Sequence, residues 1–357
     1  MNILFFIGDS DWTARARIFT TAAHGLAARD HQVTLACPQG PIIDHVDTKR
    51  VGIVRVDPAA STAFGTFDLR RVAQERSLDV AFVHTAREQL MVGSGMRFGK
   101  GGALMRRLGM CERRDDEPGL LTSRVAPARL IVSTEMEAAM PGNSEAAIVP
   151  LGVDVQATDA VPPLERRKYH LRDDAIVVAC PYAPNGRIRL LNIMRTLALV
   201  GVRHPRLRAV VYGHRATDDD LRMQAAALGV APLMQFVDGN RVDSIAVMKS
   251  SDFAWIAADH DAGALGCLDA MAVGRPVIAE RSSVIDHFVA DGINGTVLPQ
   301  GDSPMLASAI ATVMARGETR ETFGTAGRAR AQREFGLPAM IDGFERAATA
   351  RAMQTTG

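Results

Sequence analysis

Two carboxylates stand eight residues apart in Asp261-Ala-Gly-Ala-Leu-Gly-Cys-Leu-Asp269-Ala-Met-Ala-Val-Gly-Arg-Pro-Val277. Small residues and two glycines, Gly263 and Gly266, fill the interval. The pattern predicts a loop entering an apolar helix over 264–273, stopped by Gly274, with a buried strand from Pro276. Backbone N–H groups at a helix start, with the positive end of the helix dipole, suit a phosphate or diphosphate. Flanking carboxylates suit sugar or ribose hydroxyls, because an ionised carboxylate only accepts hydrogen bonds. Glycines without a Cβ would let the backbone of Ala262, Gly263, Ala264, Leu265 and Gly266 approach such a ligand. Taken alone, the same acids read equally well as a solvated carboxylate and a helix-capping residue.

Other residues with chemistry in them fall at the ends of expected strands. His84 closes Asp79-Val-Ala-Phe-Val-His84. The turn Gly8-Asp-Ser-Asp-Trp12 follows the first apolar run and opens a helix. It is not GxGxxG, which disfavours a dinucleotide-binding dehydrogenase. Gly8 and the N–H near Ser10 could meet a phosphate, although Asp9 and Asp11 bring negative charge to that turn. Arg187 and Arg189 stand in Cys180-Pro-Tyr-Ala-Pro-Asn-Gly-Arg-Ile-Arg189, where an exposed first helical turn is the competing reading. Gly213 and His214, and Val237 ahead of Asp238-Gly-Asn-Arg241, lie at further strand ends.

Parallel α/β elements must position these residues, since apolar strand-like runs alternate with amphipathic helix-length segments. In the first half the runs are Ile3–Ile7, Gln32–Ala36, Val51–Val56, Val80–His84, Leu130–Ser133 and Ala147–Pro150, with helices at 14–29 and 68–77. A Pro- and Asp-rich stretch from Asp154 to Pro163 is the best linker. The second series has strands at Ile176–Cys180, Arg208–Tyr212, Met234–Val237, Phe253–Ala257, Pro276–Ala279 and Thr296–Leu298. Its helices fall at 188–203, 217–228, 242–249 and 264–273, and the tail from Met305 is helical apart from Gly336-Leu-Pro338. The expected division is 1–155, 156–335, and a terminal helix over 336–357 returning to the first domain. Two doubly wound domains in tandem imply a ligand cleft lined by strand carboxyl ends.

A chain of 357 residues fits two ordinary domains, and 47% apolar with 23% charged residues is a globular composition. The net charge of +1 points away from nucleic acid. Cys37, Cys111, Cys180 and Cys267 form no CxxC pair, which argues against zinc and for a reducing, cytoplasmic compartment. No apolar run approaches ~20 residues, and the first residues lack the basic start of a signal peptide. Residues 97–129 carry Arg97, Lys100, Arg106, Arg107, Arg113, Arg114, Arg124 and Arg129 against four acids. With glycines at 93, 95, 99, 101 and 102, this region reads as a flexible, solvated loop. Its sharper reading is a docking face for an anionic acceptor or for the inner face of an anionic membrane.

The 261–277 stretch resembles the signature of the retaining glycosyltransferases of family 4: Glu, seven residues, Glu, then Ala-Met-Ala-x-Gly-x-Pro-Val. Here both Glu positions are Asp. Leu207-Arg-Ala-Val-Val-Tyr-Gly213, Met234-Gln-Phe-Val-Asp-Gly239, Ser251-Asp-Phe-Ala-Trp-Ile-Ala257, the segment 283–295 and Pro150-Leu-Gly-Val-Asp154 extend the resemblance over nearly the whole chain. It implies the GT-B fold, two Rossmann-like domains facing each other across a cleft. It also implies transfer of a sugar from a nucleotide-diphosphate donor to a sugar, lipid-linked or small-molecule acceptor, with no metal or other cofactor.

By the resemblance, Asp269 holds the donor ribose, Asp261 lies beside the transferred sugar, and His84 lines the cleft next to it. The nucleobase falls near the loops of His214 and Val237, held mainly by backbone groups. Asp is one methylene shorter than Glu, which sets each carboxylate ~1.5 Å further back, and ~1 Å of misplacement can cost ~100-fold in rate. The family's Gly-Arg-Leu…Lys-Gly diphosphate clamp is altered, with Pro181 or Tyr182 at the Arg position, leaving Arg187 or Arg189 to supply a cation. Asp286 is a third Glu-to-Asp change. The alternative is a GT-B protein that has lost transfer and serves as a nucleotide-sugar-binding or scaffold subunit.

Overall fold

The computed structural model describes residues 1–56, 62–97, 102–109, 128–132, 146–184, 187–257 and 260–356, and of 62–64, 97, 187–189 and 355–356 only the helical backbone. The chain divides into two compact units, Met1–Leu151 with Leu337–Gly357, and Gly152–Gly336.

The first unit contains β1 (Asn2–Phe6), α1 (Ala14–Ala27), β2 (Gln32–Cys37), β3 (Gly52–Arg55), α2 (Thr62–Arg76), β4 (Val80–Val83), α3 (Ala86–Arg97), β5 (Ala103–Arg107), β6 (Ala128–Ile131) and β7 (Ala146–Ile148). The second contains α4 (Ala157–Ala160), β8 (Ile176–Pro181), α5 (Arg187–Gly201), β9 (Leu207–Gly213), α6 (Asp219–Ala227), β10 (Met234–Asp238) and α7 (Ser244–Lys249). It continues with β11 (Phe253–Ile256), α8 (Asp261–Ala272), β12 (Val277–Glu280), α9 (Ser283–Phe288), β13 (Gly295–Leu298), α10 (Ser303–Ala315) and α11 (Gly317–Glu334). The last helix, α12 (Leu337–Thr356), is part of the first unit.

Each unit is built on a parallel sheet. The strand orders are β3-β2-β1-β4-β5-β6-β7 and β10-β9-β8-β11-β12-β13. In both, the chain works outward one way and then resumes on the other side of the first strand. The reversals fall between β1 and β4 and between β8 and β11, and crevices at the carboxyl ends of such strand pairs are where doubly wound sheets bind ligands. The central strands β1, β4, β11 and β12 are short and almost wholly buried, which is why they read as continuous apolar runs.

In the first unit, Phe5 stacks on Phe82 with ring centres 4.9 Å apart, and Phe344 of α12 meets Phe5, Phe19 and Phe82 edge-on. Gly25 lets α1 and α12 close up: a Cβ there would stand 2.3 Å from Ile341. In the second unit, Trp255, Phe253, Met194 and Leu197 centre a larger core.

Two expectations for the first unit are overturned. Gly93 and Gly95 lie inside α3, not in a flexible run. A Cβ on Gly95 would come 3.1 Å from the Arg70 backbone nitrogen, so glycine here lets α3 lie close on α2. The basic segment also contains a strand, β5, paired between β4 and β6. Arg106 and Arg107 are 5% and 2% exposed, which removes both from any docking face. A buried guanidinium is tolerated when its donors are engaged, and Arg106 Nε donates to the His84 carbonyl at 3.0 Å. Lys100, Arg113, Arg114, Arg124 and the Arg97 side chain lie outside the described residues.

Candidate functional site

The helix α8 follows β11, one of the two strands bordering the reversal in the second sheet. It is apolar on every side and buried at every residue but Ala262. Such a helix is held by its surroundings, and its N-terminus opens at the carboxyl edge of the sheet. Asp261 is its first residue and is 5% exposed, while Asp269 is 1% exposed. Eight residues of helix separate them by about 12 Å along the axis and about 80° around it. One carboxylate therefore sits at the helix tip and the other two turns in, on a different face.

The expected loop over Ala262–Gly266 is instead helix. Gly263 and Ala264 already donate their N–H groups to the His260 carbonyl at 2.8 and 3.1 Å. From Leu265 onward the helical ladder claims each N–H in turn. Ligand-facing backbone donors at this end thus contract from the five expected residues to the first turn, around Ala262.

Gly266 also has a different task. A Cβ on it would stand 2.7 Å from the Pro181 ring and 3.1 Å from Ile256, so the glycine lets α8 cross the end of β8. Pro181 and Tyr182, which stand where the resemblance places an arginine, are occupied with this packing. The Tyr182 carbonyl lies where a Gly213 Cβ would come to 2.2 Å, and Gly213 has φ +139°. Gly239 in turn donates its N–H to the Gly213 carbonyl at 3.1 Å. The ends of β8, β9 and β10 are locked together through backbone groups. His214 is half-buried in the turn after β9, and the Val237 side chain is buried in the core, leaving only its backbone for a ligand. Arg187 opens α5, but the side chains of Arg187 and Arg189 lie outside the described residues.

Asp269 is not isolated. Ser244 at the start of α7 donates its hydroxyl to Asp269 Oδ2 at 2.7 Å. The N-cap of that helix is Asp243, whose side chain accepts the Ile245 N–H at 2.8 Å. Asp286, beyond β12, pairs with Arg281 at the surface, 3.0 Å away.

In the first unit, His84 follows β4 and is 2% exposed, its ring stacked on Phe19 at 3.8 Å. Its backbone is fixed on both sides. Arg106 takes the carbonyl, and Glu88 Oε2 accepts the N–H at 2.8 Å. Glu88 also accepts from Thr85 N–H at 2.9 Å and, through Oε1, from Gly8 N–H at 2.7 Å. Burial pushes the Glu88 carboxyl above its ordinary range, and these three bonds and the nearby Asp9 charge modify that. The Gly8 N–H expected to face a phosphate is therefore committed to a buried acid. The Ser10 carbonyl accepts the Ile42 N–H at 3.2 Å, folding the turn onto the segment after β2.

Glu88 is the site residue that sequence reasoning missed. Its signal was Thr85-x-x-Glu88, a capping box: the Glu88 N–H bonds Thr85 Oγ1 at 3.1 Å while Glu88 returns the bond to Thr85 N–H. Ser244 was missed as well, although Asp243-Ser244 ahead of Ile-Ala-Val-Met has the form of a helix start.

Among the described residues no three His, Cys, Asp or Glu side chains are grouped to hold a metal, and no helix is long and apolar enough to cross a membrane. Cys37, Cys180 and Cys267 are buried thiols. Burial pushes Cys37 up to about 11 and the other two further, which disfavours the thiolate of all three at neutral pH.

Two Rossmann-like units in succession, each with a reversal-point helix, have the fold of GT-B proteins. Residues 186–330, within the second unit, match the family Glycosyl transferases group 1. The chain is 28% identical over 220 residues to a D-inositol 3-phosphate glycosyltransferase of Geodermatophilus obscurus, covering 57% of this chain and 47% of that one. It is 26% identical over 187 residues to the lipopolysaccharide core biosynthesis glycosyltransferase LpsE of Rhizobium meliloti, covering 52% and 54%. The chain thus spans about half the length of these curated relatives. Among solved structures, HepE of Anabaena in complex with UDP and glucose has the same fold over 98% of this chain and 100% of that one, with a TM-score of 0.79 at 15% identity.

Proposed function

We propose that this protein is a glycosyltransferase that moves a sugar from a nucleotide-diphosphate donor to a hydroxyl acceptor with retention of anomeric configuration and without a metal. The observation that carries the reading is α8: a buried helix at the reversal point of a group 1 domain, with Asp261 at its tip and Asp269 two turns in. A solved structure of the same fold contains UDP and glucose, which supports a nucleotide sugar as the donor here.

In the reaction the bond between sugar C1 and the β-phosphate oxygen breaks and the nucleoside diphosphate leaves. The acceptor oxygen bonds C1, and its proton passes to the departing phosphate. The first turn of α8 and an arginine of α5, Arg187 or Arg189, are assigned to the diphosphate, whose charge grows as it leaves. Asp261 is assigned to the transferred sugar and His84 to a sugar or acceptor hydroxyl. The Gly8 turn is not assigned to phosphate, because its N–H is bound to Glu88 and Asp9 is exposed beside it.

The test is calorimetry with UDP-, GDP- and ADP-sugars, followed by donor hydrolysis with and without EDTA. Binding of one donor, with hydrolysis lost in Asp261→Asn and unchanged by EDTA, is the expected result. Failure of every donor to bind would remove the reading.

A further inference from the structure

A cavity of about 580 Å³ opens at the amino edge of the second sheet. Asp252 and Pro276, which precede β11 and β12, line it together with Gly274 and one face of α11. Gly324 lets α11 lie close here, since a Cβ on it would stand 2.1 Å from the Gly274 carbonyl. The charge in the lining is mostly arginine: Arg275, Arg320 and Arg328, against Asp252 and Glu321. Arg328 is committed, donating to the Ala272 carbonyl at 2.6 Å and to both Asp159 oxygens at 2.9 and 2.8 Å. Asp252 Oδ2 is committed as well, accepting the Val177 N–H at 2.8 Å.

Arg275 and Arg320 are different. Each gives one hydrogen bond to a carbonyl at a helix end, Arg275 Nη2 to Lys249 at 2.8 Å and Arg320 Nη1 to Met314 at 3.2 Å. Neither lies within ion-pair distance of an acid among the described residues. A guanidinium has five N–H donors, and Arg275 Nε is buried with no partner among the described residues. Burial lowers the Arg275 guanidinium from its ordinary value. Asp252 opposes that shift, and the like charges of Arg166 and Arg320 add to it. Two neighbouring cations with donors to spare thus share one cavity.

We propose that this cavity is a second anion site, which takes the phosphate of a small polar phosphate monoester on Arg275 and Arg320. Guanidinium donors form a planar fork that matches two phosphate oxygens, and such charge-assisted bonds are roughly twice as strong as neutral ones. A monoester carries about −1.5 to −2 near neutral pH, so it answers two guanidinium charges where a carboxylate answers one. Gly317 also lines the cavity and begins α11, a helix of 18 residues whose start has no side-chain cap. Its first N–H groups and positive dipole end favour the same sign of ligand. Thr325 and Gln332, both exposed, continue the lining along α11 and offer partners to a polar organic part. Glu321 works against an anion, but it is exposed and therefore screened. The site is separate from the donor side of the sheet, because the 12 residues of α8 put ~18 Å between Asp261 and the helix end at this cavity.

Calorimetry of the full chain with glycerol 3-phosphate tests the proposal, with and without a saturating nucleoside diphosphate. The expected result is one site with a Kd of about 1 mM or tighter that the nucleotide does not displace. Arg320→Gln should weaken binding about 10-fold or more, the range of a hydrogen bond to a charged group. Glu321→Gln removes the opposing charge and should tighten binding about 2- to 3-fold, a gain that misfolding cannot produce. Arg203→Gln, an exposed arginine beyond α5, is the control and should change nothing. Vesicles containing phosphatidate present the same group on a lipid. Sedimentation with them that depends on Arg320, without binding of the soluble ester, assigns the phosphate to a lipid headgroup. Binding of neither probe overturns the proposal. So does binding that the nucleotide displaces and Arg320→Gln leaves unchanged, or an equal loss in Arg320→Gln and Arg203→Gln. If no nucleotide binds, the donor reading fails alone, since the Arg320 and Glu321 variants still locate this site.

Discussion

Glu88 Oε1 accepts the N–H of Gly8 at 2.7 Å, so an acid in the first turn of α3 closes the end of β1, eighty residues earlier in the chain. The second carboxylate oxygen takes His84 and Thr85. One side chain ties both strands at the reversal point of the first sheet. Glu88→Ala leaves three backbone donors to find other partners and removes half of a capping box. The expected loss is about 2–4 kcal/mol in denaturant unfolding. A cost below about 0.5 kcal/mol would mean that water replaces the carboxylate without penalty.

Gly213 and Gly229 make a controlled pair. Both have positive φ, +139° and +70°. A Cβ on Gly213 would stand 2.2 Å from the Tyr182 carbonyl, whereas nothing lies within 4 Å of one on Gly229. Gly229→Ala should therefore cost only the left-handed strain, about 1–2 kcal/mol. Gly213→Ala adds a backbone clash at the joined ends of β8 and β9, and should exceed it by at least ~1 kcal/mol. Equal melting shifts for the two variants would contradict the locked edge.

The terminal helix α12 is fastened by acids with a defined pH response. Glu345 pairs with His31 at 2.8 Å and with Arg29, which also holds Asp342. The His31 hydrogen bond and then the Arg29 bond lower the Glu345 carboxyl from its usual value of 4.5. A depressed acid contributes stability that is present above the unfolded value and lost as pH falls through the folded one. Burial moves Glu88 the opposite way, so its share is fully present below about 4.5 and declines as pH rises through its folded value. Protection of α12 amides, corrected for the intrinsic exchange rate at each pH, should fall below about pH 4, and Glu345→Gln should flatten that fall. Both Glu345 and Arg29 are about a third exposed, so the effect is modest and weakens with salt.

Most of the parallel strands were legible in the sequence because their two faces are buried alike, giving continuous apolar runs such as Ile3–Ile7 and Phe253–Ala257. The strand β5 was not, because Ala-Leu-Met-Arg-Arg ends in two arginines that sequence patterning assigns to solvent. Only tertiary context, the His84 carbonyl among it, makes their burial tolerable. At the site, the Asp261 to Asp269 spacing identified α8, yet the reasons for its residues were partly different. Gly266 serves Pro181 and Ile256, and Asp269 serves Ser244, contacts that depend on which strands adjoin and which helices cross.

His84 separates packing from chemistry most sharply. Its ring is buried and stacked on Phe19 at 3.8 Å, an arrangement that Phe could reproduce. Its assigned role requires a ring nitrogen, which Phe lacks. His84→Phe should therefore keep stability within about 1.5 kcal/mol of wild type, as volume-conserving core changes do. Hydrolysis of the donor found by calorimetry should fall by about 100-fold or more, the span of acid–base and hydroxyl-positioning groups. His84→Ala, by contrast, should lose both stability and turnover, since it opens a cavity beside Phe19. If His84→Phe turns over the donor at the wild-type rate, the residue is a packing element of the first unit, and the acceptor hydroxyl is held by another group.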